Sequence, residues 1–407
     1  MLPLKRDVLI VGAGHAGAHL ATSLRKKGFS GSILVVSDEM VLPYERPPLS
    51  KAYFLGSIQI DRIFIHDGDY WREHDIEFCL GEKVVGVDVE ARLATLSNGN
   101  QIDFNWCVLA TGSRVRKLSC CGANLDGVYY LRTVSDADKI RRNLNVERKI
   151  VVVGAGYVGL EVAAAARQLG HQVTVLETQD RVLSRMTCAE ISKVLERSHL
   201  AHGVDIRLKE SVEAIEGDTR ARAVRLSSGD KLDADLIIVG IGIDGHTELA
   251  EAAGLNCDGG VVVDSFFRTS APNILAIGDC SKHPNDYAGG PCRLESVQHA
   301  VSSAETAAET ILNALRPYDD LPTFWSDQYD LKLQTAGITK GADDIVFRGD
   351  PQNGPLSALY LKKGQLVAID AINNPKDFMA ARKLIRSGAR PDRERLANGD
   401  VPLKSFV

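Results

Sequence analysis

The sequence predicts an α/β protein in which one strand–turn–helix–strand unit occurs twice, followed by a smaller α+β domain. Three observations carry this reading. An apolar run over residues 8–11 leads into glycines, a helical stretch over 18–27 closed by Gly28, and a second strand over 33–36. The same order returns as a strand over 150–153, glycines, a helix over 158–169 closed by Gly170, and a strand over 173–176. Past residue 318 the pattern changes to short alternating strands and one amphipathic helix.

The elements between these landmarks follow in order. Residues 82–88 and 93–96 alternate as antiparallel strands, with a turn at Asn98-Gly99. A strand over 108–110 ends at Thr111-Gly112. After the second unit come a strand over 223–226, a turn at Ser228-Gly229-Asp230, and a strand over 236–239 that ends in Gly240-x-Gly242. A long helix is expected over 295–315, stopping before Pro317. Strands over 345–347, 356–361 and 366–369 follow, with Lys362-Lys363-Gly364 as a hairpin turn. Asn374-Pro375 opens a final helix that Gly388 ends. The expected domains are 1–113 with 244–318, then 114–243, then 319–407.

Composition narrows the function classes. Of 407 residues, 44% are hydrophobic and 25% charged, which is ordinary for a water-soluble fold. A net charge of −5 argues against a nucleic-acid binder. No apolar run approaches the roughly 20 residues that span a bilayer, and the start of the chain runs directly into a strand. A cytoplasmic, membrane-free protein is expected, as a monomer or weak homodimer. The eight cysteines show no C-x-x-C spacing, so neither a zinc ribbon nor a thioredoxin-type dithiol is indicated. Cys107 and Cys280 read as packed thiols and Cys120-Cys121 as a loop pair. The ten histidines show no metal-ligand spacing, and His199 and His202 read as helix-surface residues. No metal is expected.

The glycines carry the chemistry. In Gly12-x-Gly14-x-x-Gly17, directly after a strand, Gly12 permits the tight turn and Gly14 lets the backbone approach a pyrophosphate. Gly17 lets helix and strand pack closely. His15 and Ala16 complete this loop. The N–H groups at the helix start and the helix dipole then face phosphate. Gly154-x-Gly156-x-x-Gly159 repeats the arrangement, with Tyr157 and Val158 opening its helix. Glu177 ends the next strand, 18 residues after Gly159, where a carboxylate accepts from a ribose 2′-OH and repels a 2′-phosphate. This predicts NADH over NADPH, although Arg181 and Arg185 lie nearby. In the first copy the matching position is Ser37, with Asp38 and Glu39 after it, so Ser37 or a shifted carboxylate takes the ribose. Two such units predict two Rossmann-like dinucleotide-binding domains.

Further segments carry a family resemblance. Ala110-Thr111-Gly112 resembles the turn that returns the chain from a flavin domain. Thr269-Ser270-x-Pro272-x-Ile274-x-Ala276-x-Gly278-Asp279 resembles a second flavin motif, in which the Asp accepts from a ribityl hydroxyl. Arg46-Pro47-Pro48-Leu49-Ser50-Lys51, Gly156-Tyr157-Val158-Gly159-Leu160-Glu161, Glu295-Ser296-Val297 and Trp325-Ser326-Asp327-Gln328-Tyr329 are similar to the FAD-dependent NADH:ferredoxin reductases of oxygenase electron-transfer systems, along essentially the whole chain.

The resemblance implies a glutathione-reductase-like arrangement. An FAD domain is interrupted by an NADH domain, and the C-terminal domain covers the flavin. Lys51 would lie near the flavin N5 edge, paired with Glu161. The helix start around Glu295, Ser296 and Val297 would face the flavin pyrimidine, and Trp325 the flavin ring. Arg46, Val84, Arg132, Gly278 and Gly242 would be further cofactor contacts, with Arg185 near the nicotinamide dinucleotide. Related disulfide reductases hold a redox cysteine at the segment matching 47–51. This chain has none there, its first cysteine being Cys79.

The implied reaction is hydride transfer from NADH to FAD, then single electrons to a [2Fe-2S] ferredoxin. That carrier would feed a cytochrome P-450-type monooxygenase or a Rieske dioxygenase. Residues 376–407 hold eight basic residues against four acidic ones, a net +4 suited to an acidic carrier, with Lys332 a further candidate. Two alternatives stay open here: an NADH oxidase, and a redox-sensing flavoprotein similar to apoptosis-inducing factor.

Overall fold

The computed structural model describes residues 4–352 and 354–406. The chain divides into two compact units. The first comprises residues 1–45, 60–114 and 244–322; the second comprises 46–59, 115–243 and 323–407.

In the first unit, Leu4–Val11 is the central strand. It pairs in parallel with Ile33–Ser37, Val8 against Ile33, and with Gln101–Leu109, Val8 against Trp106. Ile76–Leu80 extends one edge in parallel, and Leu93–Leu96 with Val84–Asp88 extends the other antiparallel. Ile274–Ala276 adds to the end of Gln101–Leu109. Val8, Leu9 and Ile10 are fully buried, as a strand covered on both faces requires. Helix His15–Lys26 packs against helix Val297–Ile311. Ala18, Ala21, Ala304 and Ala307 line their buried faces, so the two backbones approach closely.

The second unit has a parallel sheet in the order Asp205–Leu208, Gln172–Glu177, Lys149–Val153, Leu236–Val239, Val128–Tyr130. Helix Tyr157–Gln168 crosses over from Lys149–Val153 to Gln172–Glu177. A three-stranded antiparallel sheet follows, built from Val212–Gly217, Ala221–Leu226 and Lys231–Asp233. Residues 323–406 form an antiparallel sheet in the order Thr323–Gln328, Leu331–Gly337, Gln365–Ile372, Leu356–Lys362, Asp344–Gly349. Helix Pro375–Arg386 packs on it. One apolar cluster in this unit joins Phe54, Leu160, Val162 and Leu195 to Leu333, Leu356, Ala358 and Ile372.

Several elements differ from the sequence expectation for local reasons. The first helix begins at His15, so Gly17 lies inside it, because the glycine turn itself supplies the helix start. The long helix runs Val297–Ile311, and left-handed Asn313 stops it before Pro317 does. Thr323–Gln328 is a strand that the polar Ser-Asp-Gln stretch concealed, and Leu331–Gly337 is a further strand antiparallel to it. Helix Pro375–Arg386 is followed by a further short helix, Arg393–Ala397. Lys363 and Gly364 both adopt positive φ, the geometry of a tight hairpin turn. No helix among the described residues is long and apolar enough to cross a membrane.

The first unit buries two stacked histidines. The His283 and His299 rings lie 4.5 Å apart at 16°, both fully buried. His299 Nδ1 is 2.9 Å from Tyr318 Oη. Burial pushes His283 down to about 3 and His299 to about 4. Both therefore stay neutral in the folded protein while the unfolded chain takes up protons below about pH 6.5. Their stabilising contribution is present above that pH and lost as pH falls. His283→Phe should lose less stability than the parent on acidification from pH 7 to pH 5, by roughly 2 kcal/mol. Denaturant unfolding at both pH values measures this, and equal losses would refute it.

Candidate cofactor sites and the buried carboxylate cluster

The first glycine cradle lies within the first unit. Gly12 has φ +109°, and a Cβ there would come 2.3 Å from Ala110 O. A Cβ on Gly17 would sit 2.0 Å from Gly12 O. Both glycines are thus demanded by backbone packing. Gly14 differs, since a Cβ there meets nothing within 4 Å. Gly14 is the N-cap of helix His15–Lys26 and makes no side-chain capping bond.

The flavin-type motifs gather around this loop. Ala110 N donates to Val11 O at 2.8 Å, and Thr111 Oγ1 donates to His246 O at 2.7 Å. Gly112 O accepts from His246 N. A Cβ on Gly278 would lie 2.9 Å from the Cβ of Ala16, so the second motif abuts the cradle. Asp279 accepts from Ser113 Oγ at 2.7 Å. Ser37 is buried and its Oγ accepts from Glu39 N; Glu39 in turn accepts from Tyr44 Oη, while Asp38 is exposed. Val84 is buried at the start of an edge strand. Ser296 caps helix Val297–Ile311 by accepting from His299 N, and Glu295 pairs with Arg293 at 2.6 Å.

The second cradle, in the second unit, repeats this geometry. Gly154 has φ +104°, with a Cβ position 2.4 Å from Gly240 O. Gly159 would clash with Gly154 O at 2.1 Å, and Gly156 has only Met186 Cε at 3.9 Å. Gly156 likewise caps its helix without a side-chain bond. Glu177 Oε2 accepts from Ala155 N at 2.9 Å and Oε1 from Gln179 N at 2.9 Å. The acid therefore braces the loop as well as ending the strand. Arg185 is exposed. Arg181 is committed to Thr187 O, Ser184 O and Ser192 Oγ, so it is a loop brace with little reach for a 2′-phosphate. Gly242, at φ +111°, accepts from Arg116 N through its carbonyl.

A buried charge lies in the same unit. Glu161 is 5% exposed on helix Tyr157–Gln168. Its Oε2 is 2.6 Å from Lys51 Nζ and accepts from Ser50 Oγ at 2.6 Å; its Oε1 accepts from Ser326 Oγ at 2.6 Å. Three donors thus satisfy one carboxylate, the condition for burying it. Arg46 Nη1 donates to Arg132 O at 2.7 Å. Tyr157 stacks on Phe324 at 4.4 Å, and Val158 is exposed. Trp325 alternates outward from buried Ser326 and Gln328 and is 37% exposed, high for a tryptophan.

Sequence reasoning assigned no role to Ser50, Ser326, Gln328 or Asp370. Asp370 is 1% exposed and accepts from Tyr360 Oη at 2.5 Å; burial pushes its carboxyl up to about 7. His199, expected on a helix surface, is fully buried and bonded to Gln328. For Ser326 and Gln328 the available signal was their polar alternation along one strand. Among the described residues no cluster of His, Cys, Asp or Glu could hold a metal ion, and all eight cysteines are free thiols.

Two glycine cradles, each with room at its middle glycine and an uncapped helix start, fit two dinucleotides, and they define a two-dinucleotide oxidoreductase. The chain belongs to the pyridine nucleotide-disulphide oxidoreductase family, which matches residues 6–304; a reductase C-terminal domain matches residues 323–407. It is 44% identical to the 5,5'-dehydrodivanillate O-demethylase ferredoxin reductase subunit of Sphingobium sp., over 98% of both chains. It is 42% identical to rhodocoxin reductase of Rhodococcus erythropolis, over 98% of this chain and 94% of that one. The solved covalent putidaredoxin reductase–putidaredoxin complex matches with a TM-score of 0.95 at 37% identity, covering 98% of each chain. The chain closely resembles the NADH:ferredoxin reductases of oxygenase systems, and family membership implies FAD and a nicotinamide dinucleotide.

The glycines separate packing from binding. Gly14→Ala should fold with stability within ~1 kcal/mol of the parent yet retain FAD less well, since its added methyl enters the open cradle. Gly17→Ala should lose about 3 kcal/mol or more through backbone overlap. Thermal unfolding of the apoprotein and bound-flavin absorbance measure the two effects. Equal destabilisation by both substitutions would refute the distinction.

Proposed function

We propose that the protein is an FAD-containing NADH:ferredoxin reductase that delivers electrons to an oxygenase. One observation carries the reading beyond the family. The segment that holds a redox cysteine in disulfide reductases here presents Ser50 and Lys51, and both are bonded to Glu161. No thiol stands there to take an electron pair, so a thiol relay at this segment is ruled out and release to an outside acceptor is favoured. Relatives named as ferredoxin or rhodocoxin reductases, matching nearly end to end, support that carrier being a small redox protein.

When bound, FAD supplies a centre that accepts electrons as a pair and releases them singly. The chain's own residues do the rest. Gly12, Gly14 and Gly17 would hold the FAD pyrophosphate, with Asp279 on the ribityl chain. Ser37 or Asp38 would take the adenosine ribose. Gly154, Gly156 and Gly159 would hold the NADH pyrophosphate. Glu177 would accept from the ribose 2′-OH, and its charge disfavours a 2′-phosphate. Lys51 would bring positive charge to the reacting end of the cofactors, while Glu161 neutralises it in the resting protein. Trp325, exposed on its strand, offers a flat apolar ring for stacking.

The acidic carrier would dock on the outward face of helix Pro375–Arg386, where Lys376, Lys383 and Arg386 are exposed. Arg382 instead lies over the Phe378 ring, and Arg393 is paired twice with Asp344. Those two guanidinium groups are already engaged, one on a ring and one in an ion pair, and are left out of the docking face.

Purified protein should reduce cytochrome c with NADH only when a [2Fe-2S] ferredoxin is added. Equally fast NADH consumption with oxygen alone would make it an oxidase. Lys376→Glu with Lys383→Glu should slow ferredoxin reduction roughly ten-fold at low salt and leave ferricyanide reduction unchanged. Equal slowing in both assays would move the docking face elsewhere. Glu177→Gln should raise the NADPH-to-NADH ratio of kcat/KM by roughly an order of magnitude, ~1.4 kcal/mol. An unchanged ratio would remove Glu177 from ribose recognition.

A further inference from the structure

Glu161 Oε1 ends a hydrogen-bonded chain that the roles above do not use. Ser326 Oγ lies 2.6 Å from it, Gln328 Nε2 lies 3.1 Å from Ser326 Oγ, and His199 Nε2 lies 2.9 Å from Gln328 Oε1. All of these residues are buried, His199 completely.

The direction of each bond follows from the carboxylate outward. Glu161, paired with the Lys51 ammonium, only accepts, so Ser326 gives its single hydrogen to Oε1. Ser326 Oγ then has only lone pairs to offer, and Gln328 must turn its amide nitrogen toward it. Gln328 Oε1 is left facing His199, whose Nε2 must carry the hydrogen. His199 Nδ1 is buried with no partner among the described residues. The neutral Nε2–H tautomer is therefore the form that strands no donor, and burial lowers the basicity of the ring in the same sense.

The backbone holds this chain taut. Ser326 and Gln328 are alternate inward residues of strand Thr323–Gln328, and His199 is on helix Ala189–Ala201. Tyr329, at φ +55° just past the strand, stacks flat on His202 at 3.7 Å and 5° and meets His199 edge-on at 5.1 Å. The hairpin turn is thus clamped to the helix that bears the first donor.

We propose that Gln328 and His199 are positioning residues for hydride transfer, locking the direction of Ser326 and so holding Glu161 turned toward Lys51. This rests on the reading of Lys51 and Glu161 as the polar end of the NADH-oxidising site. Neither residue touches a cofactor in this role. Each acts by leaving Ser326 no hydrogen-bond choice except Glu161.

The substitution that reads out direction is Gln328→Glu. It keeps the shape, but a carboxylate cannot donate to Ser326 and competes for its hydrogen. In the holoenzyme, anaerobic stopped-flow flavin reduction by NADH should slow roughly ten-fold or more, the scale of one bond to a charged group. NAD+ affinity should change less than the rate. The charge-transfer band of the reduced enzyme with NAD+ should shift.

Ser326→Ala removes the link, so adding Gln328→Glu to it should have little further effect. His199→Phe should slow the step, and His199→Gln, which keeps an N–H donor, should restore part of it. Histidine 15N NMR should show His199 as the Nε2–H tautomer. Thermal unfolding of every variant separates these effects from loss of fold.

Additive effects of Ser326→Ala and Gln328→Glu, or a His199 hydrogen on Nδ1, would overturn the proposal. Glu161→Gln is the control. If it slows hydride transfer while folded Gln328 and His199 variants do not, only the positioning proposal fails. If Glu161→Gln itself has no effect, the reading of the Lys51–Glu161 pair fails.

Discussion

A carboxylate that is 5% exposed must find its compensation inside the protein, and Glu161 organises the second unit around that need. Removing it from water would cost several kcal/mol if it were left unpaired. Lys51 and Ser50 come from one stretch of chain, Ser326 from another nearly three hundred residues on, and Glu161 from a helix between them. The demand for three donors at one point therefore links the segment after Arg46, the helix opened by the second glycine cradle, and the first strand of the C-terminal sheet. The apolar cluster joining Phe54, Leu160 and Leu356 buries the surroundings and makes each of those bonds matter more.

The two glycine cradles show how a duplicated unit preserves geometry while its chemistry diverges. In each, the first glycine is pressed against a carbonyl at the end of a neighbouring strand, Ala110 in one and Gly240 in the other. The third glycine is pressed against the first, and the middle one has room, Gly14 meeting nothing within 4 Å and Gly156 only Met186 Cε at 3.9 Å. Backbone overlap dictates two of the three positions, so those would be glycine whatever was bound. Only the middle glycine and the uncapped helix start refer to a ligand. The units part company at the end of the next strand. Glu177 there bonds its own loop and presents charge, whereas Ser37 is buried, Glu39 is bonded to Tyr44 and Asp38 is exposed.

Absence of a cysteine from residues 47–51 has a physical consequence for a family named for disulfide chemistry. A serine accepts and donates hydrogen bonds but stores no electrons. Ser50 accordingly stabilises the buried carboxylate, and the redox task falls to groups the chain binds. Exposed lysines on helix Pro375–Arg386 give local positive charge to a protein of net charge −5, and under the proposed function an external carrier would sense that asymmetry.

The sequence by itself determined the repeated α/β units, the glycine turns and the acid at Glu177, because these depend on local periodicity and on backbone sterics within a few residues. It also determined what is missing at residues 47–51, since absence of a cysteine is read directly. Strand Thr323–Gln328 was not legible, because its buried positions carry serine and glutamine where apolar residues normally signal a strand. His199 read as a surface residue for a related reason. Its burial depends on the packing around it, and its partner Gln328 lies 129 positions away. Tertiary structure alone decided which polar side chains are inside, because burying each one depends on donors and acceptors that only folding brings within hydrogen-bonding distance.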